Sequence, residues 1–294
     1  MISKQDIRII LDGQTLAGWL YKTPEREKAP MVVMAHGFSA VKEMRLDAYA
    51  ERFAEAGYHA LVFDYRHFGG SQGRPRQLLD IEKQHDDWKA AIKFARSIPE
   101  VDGQKIVLWG TSFSGGHVMA VAAEDPTIAA VIAQVPHVSG FASALAVGFR
   151  QNFRLGSAAF LDRLLKLFNW APYYVPAFGK PGEMAAMTAP GEYEKARKLY
   201  PVDSRIDDNV AARVFLSLTF YSPGKLASKV TAPMLVQVAR NDLTTPPKPS
   251  IKAANRAPRG ELKLYDMGHF DAYLPPIFDT VVQDQIDFLK KHVG

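Results

Sequence analysis

Short apolar runs alternate with segments of helical periodicity along most of this chain. Runs that predict strands lie at residues 31–35, 59–63, 105–109, 128–135, 233–239 and 261–265. Segments that predict helices lie at residues 43–57, 80–97, 116–124, 249–257 and 277–292. The first residues predict a β-hairpin, with strands at 6–11 and 15–21 joined through Asp12-Gly13, a dipeptide that supports positive φ in a tight turn.

This alternation predicts an α/β domain with a mostly parallel sheet and helices on both faces. In such sheets the active groups lie at the carboxyl ends of the strands. The loops that directly follow the predicted strands are therefore where we expect the chemistry of this protein.

Residues 137–229 interrupt the alternation. Because the segment is too long to be a loop in a compact domain, we expect a helical cap inserted into a core domain of residues 1–136 and 230–294. Leu161, Leu164, Leu165 and Phe168 recur at helical spacing and predict that the cap has a small core of its own. The segment has more aromatic residues than that core needs, so we expect some of them to cover an apolar pocket.

Composition argues against several classes of protein and site. The 294 residues include no cysteine, which excludes disulfides and thiolate metal sites, and the histidine spacings predict no metal site either. The formal charge of +5 is not gathered into a basic tract, so we expect no nucleic-acid partner. The longest apolar run is broken by polar residues and Pro136, which argues against a membrane span. Since no secretory or transit segment is visible, we expect a cytoplasmic protein.

The most informative stretch is Gly-Thr-Ser-Phe-Ser-Gly-Gly at residues 110–116, between a predicted strand and a predicted helix. An anion formed beside Ser112 would face the positive end of that helix. The glycine spacing also occurs in phosphate-binding loops, but Gly116 and His117 stand where those loops need Lys and Ser/Thr. A serine here could also cap the helix. The usual nucleophile motif has glycine where this chain has Ser114, so residues elsewhere must decide.

An acid and a histidine follow later strands. Asp242 comes after the strand at 233–239, and His269 comes after the strand at 261–265. A serine hydroxyl needs a base, imidazole titrates near neutral pH, and a carboxylate orients the ring. Further candidates for the acid are Asp64, Asp266 and Asp271. Asp266 and Asp271 flank His269 too closely to face its far nitrogen. Asp64 ends a strand on the other side of the turn that carries Ser112, so we favour Asp242.

With these residues in order, the sequence resembles the α/β-hydrolase family over nearly the whole chain outside residues 137–229. His36-Gly37-Phe38 is similar to that family's His-Gly motif. Residues 63–73 are similar to a loop of esterases, dienelactone-hydrolase-like enzymes, Xaa-Pro-type serine peptidases and polyketide transferases. The resemblance implies an α/β-hydrolase fold with a mostly parallel eight-stranded sheet. It also implies an oxyanion hole formed by the backbone N–H groups of Phe38 and Phe113.

We therefore expect a serine hydrolase that cleaves a carboxylic ester or thioester through an acyl-enzyme, with acyl transfer to another acceptor also open. Ser112 would attack the carbonyl, His269 would move the proton and Asp242 would orient the histidine, without a cofactor. For the substrate pocket we expect the residues His137, Phe141, Phe149, Phe153, Trp170 and Tyr173.

The sequence leaves two other functions open. An Xaa-Pro-type peptidase would need acidic groups to hold the free amine of a peptide, and a non-catalytic ligand-binding protein could use the same scaffold. Residues 137–225 contain 11 basic and 7 acidic side chains, an excess that would suit an anionic small molecule or a carrier-bound acyl substrate. A homodimer also remains open.

Overall fold

A computed structural model describes residues 2–24, 28–202, 204 and 206–294. Its strands are β1 (Ser3–Leu11), β2 (Gln14–Lys22), β3 (Ala29–Ala35), β4 (His59–Phe63), β5 (Val101–Thr111), β6 (Ala130–Gln134), β7 (Tyr174–Pro176), β8 (Asn209–Ala211), β9 (Met234–Ala239) and β10 (Gly260–Tyr265). Its α-helices are α1 (Leu46–Glu55), α2 (Ile81–Arg96), α3 (Phe113–Glu124), α4 (Gly140–Val147), α5 (Phe149–Leu167), α6 (Glu192–Arg197), α7 (Phe215–Leu218), α8 (Pro247–Arg256) and α9 (Ile277–His292).

Eight strands form one sheet in the spatial order β1-β2-β4-β3-β5-β6-β9-β10, and β7 pairs with β8 separately. The pairs β1–β2 and β2–β4 are antiparallel, whereas the pairs β4–β3, β3–β5, β5–β6, β6–β9 and β9–β10 are parallel. The prediction of a mostly parallel eight-stranded sheet is therefore confirmed. Its parallel strands all end at one edge, where the loops after β3, β5, β6, β9 and β10 meet.

Burial follows the apolar pattern of the sequence. Every residue of β3, β4, β6 and β9 is buried, as expected for central strands covered by helices on both faces. The edge strand β1 is largely exposed, and β2 alternates between buried and half-buried positions. Helix α1 turns one apolar face inward, with Tyr49 and Phe53 fully buried.

Element boundaries differ from the predicted ones by a few residues at most strand and helix ends. The largest difference lies at β5, which begins at Val101 rather than at residue 105, and α3 begins at Phe113 rather than at residue 116. The two glycines at 115 and 116 lower helix propensity. In the structure they nevertheless lie inside α3, where the lack of a side chain lets them pack closely against neighbouring backbone.

Residues 137–229 contain α4 to α7, the short strands β7 and β8, and two 3₁₀ helices at Ala212–Val214 and Pro223–Lys229. A small apolar cluster within this inserted segment joins Leu155, Ala158, Val175 and Ala212. Of the four predicted core residues, Leu161, Leu164 and Phe168 are instead exposed and Leu165 is half-buried. Within the described part of the chain, no helix combines the length and apolarity needed to cross a bilayer.

Candidate active site

Ser112 lies at the sharp turn between β5 and α3. Its φ of +53° is a left-handed value that is rare for residues other than glycine, as in the strained strand-turn-helix geometry of a nucleophile elbow. Its hydroxyl meets His269 instead of capping α3. Gly110 permits the turn, because a Cβ at this position would lie 2.2 Å from the carbonyl oxygen of Ser114.

The structure brings Ser112, His269 and Asp242 together in one hydrogen-bonded line. His269 Nε2 lies 3.0 Å from Ser112 Oγ, and His269 Nδ1 lies 2.7 Å from Asp242 Oδ2. All three residues are buried. This is the geometry in which a carboxylate orients an imidazole and the imidazole takes the hydroxyl proton.

Asp242 is held by the loop that follows β9. Its Oδ1 accepts hydrogen bonds from the backbone N–H groups of Thr244 and Thr245, at 2.8 and 2.6 Å. Thr245 also donates its hydroxyl to Asp242 Oδ2 at 2.7 Å. These bonds fix the carboxylate before any substrate enters, and no motif in the sequence pointed to Thr245.

The acid and the histidine shift each other's pKa in opposite directions. Burial disfavours the imidazolium of His269, but the attraction and hydrogen bond of Asp242 outweigh it, so the pKa of His269 is raised. Burial likewise disfavours the carboxylate, but His269 and Thr245 stabilise it, so the pKa of Asp242 is lowered. The pair is therefore prepared to hold the proton that Ser112 gives up.

The predicted oxyanion-hole residues lie next to the nucleophile. Phe113 is the first residue of α3, and N–H groups of a first helical turn have no partner within the helix. Gly37 packs against the serine so closely that a Cβ on it would lie 2.9 Å from Ser112 Cβ. Phe38 follows directly, and its ring packs edge-on to that of Phe113 with centroids 5.8 Å apart.

A buried chain of hydrogen bonds supports the loop that carries Phe38. Trp88 Nε1 donates to Tyr65 Oη at 2.7 Å, Tyr65 Oη bonds to Ser114 Oγ, and Ser114 Oγ donates to the carbonyl oxygen of His36 at 2.6 Å. Because the His36 carbonyl can only accept, Ser114 gives its one hydroxyl proton to it and must accept from Tyr65 Oη, so the whole chain runs from Trp88 to the His36 carbonyl. Ser114, which stands where the usual motif has glycine, therefore joins the elbow to the loop after β3 that carries Phe38.

A cavity of about 840 Å³ opens beside Ser112. The core supplies Phe38, Phe113 and residues 242–246, while α4, α5, residues 186–190 and residues around α7 supply the remaining wall. Apart from Asp242, which is paired with His269, the described residues that line it carry no carboxylate, ammonium or guanidinium group. The cavity is thus built for an uncharged, mostly apolar group.

His137, one of the residues expected at the substrate pocket, lines this cavity. Its backbone N–H donates to the carbonyl oxygen of Ser112 at 2.8 Å, and its ring packs against Phe113. Burial lowers the pKa of His137 to about 4, so the ring is neutral near pH 7. Its Nε2 is buried and has no hydrogen-bond partner among the described residues.

The five aromatic residues predicted for the pocket lie outside it. Each is exposed on α4, α5 or the loop that follows, and none belongs to the cavity lining: Phe141, Phe149, Phe153, Trp170 and Tyr173. The opposite sides of α4 and α5 face the cavity, with small and aliphatic residues such as Ala144, Val147 and Leu155. Helical spacing identifies a face, but it does not tell which side of the helix docks on the core.

The competing acids are engaged elsewhere. Asp64 pairs with Lys42, with Nζ and Oδ2 2.8 Å apart, and lies 3.6 Å from His36 Nε2. Asp266 is exposed and pairs with Arg240, and Asp271 pairs with a lysine of α6.

Glu192 is a further acid near the histidine that the sequence did not reveal. It is the first residue of α6 and is buried. Its Oε1 packs against Gly268, the residue before His269, since a Cβ built on that glycine would lie 2.8 Å from it. Burial raises the pKa of Glu192, and its negative charge adds to the forces that raise the pKa of His269. Its distance along the chain from His269 explains why no motif pointed to it.

Known proteins resemble this chain over nearly its whole length. Residues 26–270 match the family described as serine aminopeptidase, S33. The quorum-quenching protein AidA of Acinetobacter baumannii (strain MDR-ZJ06) is 43% identical over 288 residues, which cover 98% of this chain and 95% of that protein. Polyketide transferase ATR5 of Stachybotrys chlorohalonatus (strain IBT 40285) is 28% identical over 298 residues, with 99% and 98% covered. The crystal structure of the α/β hydrolase GrgF from Penicillium sp. sh18 has a TM-score of 0.81 and 25% identity, with 99% of each chain covered.

These similarities agree with the strand order and with the elbow between β5 and α3. The family match extends from the loop before β3 to the loop that carries His269. The chain therefore belongs to the serine aminopeptidase S33 family of α/β-hydrolase enzymes.

Proposed function

We propose that this protein is a serine hydrolase that cleaves esters or thioesters of an uncharged acyl group through an acyl-enzyme on Ser112. The observation that carries the proposal is the line from Asp242 through His269 to Ser112, which ends in a cavity of about 840 Å³. A ligand-binding protein would need a cavity but not a serine bonded to a buried, carboxylate-paired histidine.

In the first half of the reaction, Ser112 Oγ attacks the carbonyl carbon while His269 Nε2 takes the hydroxyl proton. The carbonyl oxygen becomes an oxyanion that accepts hydrogen bonds from the N–H groups of Phe38 and Phe113. The tetrahedral intermediate then breaks its bond to the leaving oxygen or sulfur, and His269 gives its proton to that atom. The alcohol or thiol leaves, and the acyl group stays on the serine.

In the second half, water or another nucleophile enters beside His269. The histidine takes one proton from the nucleophile as it attacks the acyl carbon, and the new tetrahedral intermediate breaks its bond to Ser112 Oγ. His269 returns the proton to the serine, which restores the starting state. Water gives a carboxylic acid, whereas an alcohol acceptor gives a new ester.

The cavity lining favours esters over peptides with a free amino terminus. An aminopeptidase needs a carboxylate to bind the ammonium group of its substrate. Asp242 is the only carboxylate among the described lining residues, and it is already bonded to His269, Thr244 and Thr245. Its negative charge is therefore used within the site and is not available to a substrate amine.

We further infer that residues 137–229 act as a cap that sets acyl specificity, because α4 and α5 supply much of the cavity wall. The relatives include a protein named for quorum quenching and a polyketide transferase, which supports small acyl compounds as the substrate class. A carrier-bound acyl thioester remains within the same proposal, since the reacting bond is the same.

A panel of 4-nitrophenyl esters and thioesters of graded chain length tests this proposal, run beside aminoacyl and Xaa-Pro arylamides. We expect turnover of the neutral esters, little turnover of the arylamides, and loss of both in Ser112→Ala. Ser143→Ala is a matched control, because this serine also lines the cavity but its hydroxyl bonds only to His137 among the described residues. Efficient arylamide cleavage with no ester cleavage would overturn the proposal in favour of a peptidase.

A further inference from the structure

The inserted segment reaches the loop that carries His269. This histidine lies directly before a 3₁₀ helix at Phe270–Tyr273, and helix α6 of the inserted segment packs against that helix. Phe178, also from residues 137–229, packs edge-on against the ring of Phe270 with centroids 5.6 Å apart. The position of the imidazole therefore depends on contacts made by the inserted segment as well as by the core.

The core domain holds the carboxyl end of this 3₁₀ helix. Tyr49 on α1 donates its hydroxyl to the carbonyl oxygen of Ala272 at 2.6 Å. Arg45 Nε donates to the carbonyl oxygen of Tyr273 at 3.3 Å. Because His269 lies at the opposite end of the helix, contacts at the amino end also decide where its imidazole lies.

At the amino end, the side chain of Asp271 closes the loop on itself. Its Oδ2 accepts a hydrogen bond from the backbone N–H of Gly268 at 2.7 Å. This bond spans His269, since the two residues lie on either side of it in the sequence. The same oxygen accepts a hydrogen bond from Lys195 Nζ of α6 at 2.8 Å. The ammonium group therefore holds the carboxylate oxygen that fixes the backbone around the histidine.

Gly268 also packs against two side chains of α6. A Cβ on this residue would lie 2.8 Å from Glu192 Oε1 and 3.2 Å from Lys195 Nζ. Those two atoms are themselves 3.9 Å apart. The lysine and Asp271 are half-buried, and Glu192 is buried. An isolated exposed ion pair contributes little to stability, so we expect the Lys195–Asp271 contact to act on the position of the loop and not on the stability of the fold.

We infer that Lys195 is a positioning residue for His269, so that residues 137–229 help to arrange the reacting groups as well as to form the cavity wall. Lys195 does not belong to the described cavity lining, and it acts through Asp271 and the backbone N–H of Gly268.

The inference rests on the proposed function, because it assumes that His269 takes the proton of Ser112. Without the ammonium group, the carboxylate of Asp271 is free to turn toward solvent, and the hydrogen bond that spans His269 is broken for part of the time. The imidazole then leaves the line between Ser112 and Asp242 in that fraction of molecules. A reacting group misplaced by about 1 Å can cost about 10²-fold, so a displacement for part of the time should cost about tenfold.

Lys195→Met tests this inference, because it removes the ammonium group and keeps a side chain of similar length. On the plateau of the pH–rate profile, we expect kcat for a neutral 4-nitrophenyl ester to fall about tenfold with KM nearly unchanged. Fluorophosphonate labelling of Ser112 should slow by the same factor. Lys195→Arg keeps a charged donor for Asp271 and should restore most of the rate. Lys198→Met is the matched control, since this exposed lysine lies at the end of the same helix, and it should behave as wild type.

The pH–rate profile separates positioning from charge. If Lys195 acted only through its charge, its removal would raise the pKa of His269 and move the acidic limb to higher pH without lowering the plateau. A positioning role lowers the plateau itself. We also expect Asp271→Asn to lower the plateau. The double variant Lys195→Met/Asp271→Asn should lose no more than the weaker of the two single variants, since both changes break one contact.

A plateau kcat in Lys195→Met equal to that of wild type, or a loss that Lys198→Met shares, would overturn the inference. A rise in KM with unchanged kcat would place Lys195 at the substrate and would also overturn it. Thermal unfolding checks that each variant is folded. Failure of the proposed function would look different: the wild type itself would neither hydrolyse esters nor be labelled at Ser112, and the inference would fall with it.

Discussion

Replacing Ser114 with alanine should slow catalysis without weakening substrate binding. The change removes the hydroxyl that joins Tyr65 Oη to the carbonyl oxygen of His36. Both partners are then left buried without this hydrogen bond, and neither can gain a replacement from the alanine methyl. The loop that begins at His36 and presents the Phe38 N–H loses its fixed attachment to the elbow.

The expected losses in stability and in kcat follow from these two hydrogen bonds. A buried polar group left without a partner costs about 1–3 kcal/mol, so we expect a loss of about 2–4 kcal/mol in the free energy of unfolding. That corresponds to a fall in Tm of about 2 °C per kcal/mol for a chain of this size. Removing an oxyanion-hole donor costs about 10²–10³ in kcat, and a donor that is only displaced should cost about tenfold.

Ser250→Ala is the matched control for Ser114→Ala. Ser250 is equally buried and also donates its hydroxyl to a backbone carbonyl, that of Pro136 at 3.1 Å, but it lies outside the oxyanion loop. Ester hydrolysis at saturating substrate, thermal unfolding and the affinity of a boronic acid inhibitor would be measured for both variants. We expect both to lose stability, and only Ser114→Ala to lose kcat and inhibitor affinity with KM nearly unchanged. Equal kcat values in the two variants would refute the role assigned to Ser114.

Three further changes test other parts of the site. Glu192→Gln removes a charge that raises the pKa of His269. Since the base must be neutral to act, the acidic limb of the pH–rate profile should move to lower pH. The exposed control Glu194→Gln should leave that limb in place. An unchanged acidic limb in Glu192→Gln would show that this charge does not act on the base. Asp242→Asn should lower kcat by about 10⁴ with little change in folding, and near-normal turnover would exclude this acid from the triad. Val147→Trp fills part of the cavity, so kcat/KM should fall for long acyl esters and not for acetate; an equal fall for both would place the acyl group elsewhere.

The sequence predicted the sheet and brought together the three residues proposed for catalysis for related physical reasons. A strand buried on both faces must be continuously apolar, so its end is visible in the sequence, and the residue types after β5, β9 and β10 then stand out. Ser112 and Asp242 follow the buried ends of β5 and β9, whereas His269 follows the partly exposed edge strand β10, and parallel strands bring all three ends to one edge of the sheet.

The remainder of the site depends on contacts that leave no pattern in the sequence. Ser114 looked like a defect in the motif, because its partners Tyr65 and His36 lie on other loops. Glu192 lies in the inserted segment, residues 137–229, and sequence periodicity does not show how that segment packs on the core domain. The aromatic residues of α4 and α5 were misplaced for a related reason: both sides of α5 are apolar, and only tertiary packing decides which one faces the cavity.

Covalent labelling with a fluorophosphonate, followed by mass spectrometry of the peptides, tests the central claim most directly. The reagent reacts only with a serine whose proton is removed by a nearby base and whose oxyanion is stabilised. We predict one phosphonyl group per chain, located on Ser112, with no labelling in Ser112→Ala and much slower labelling in His269→Ala. A label on another residue, or equal labelling of wild type and Ser112→Ala, would contradict the assignment of Ser112 as the nucleophile.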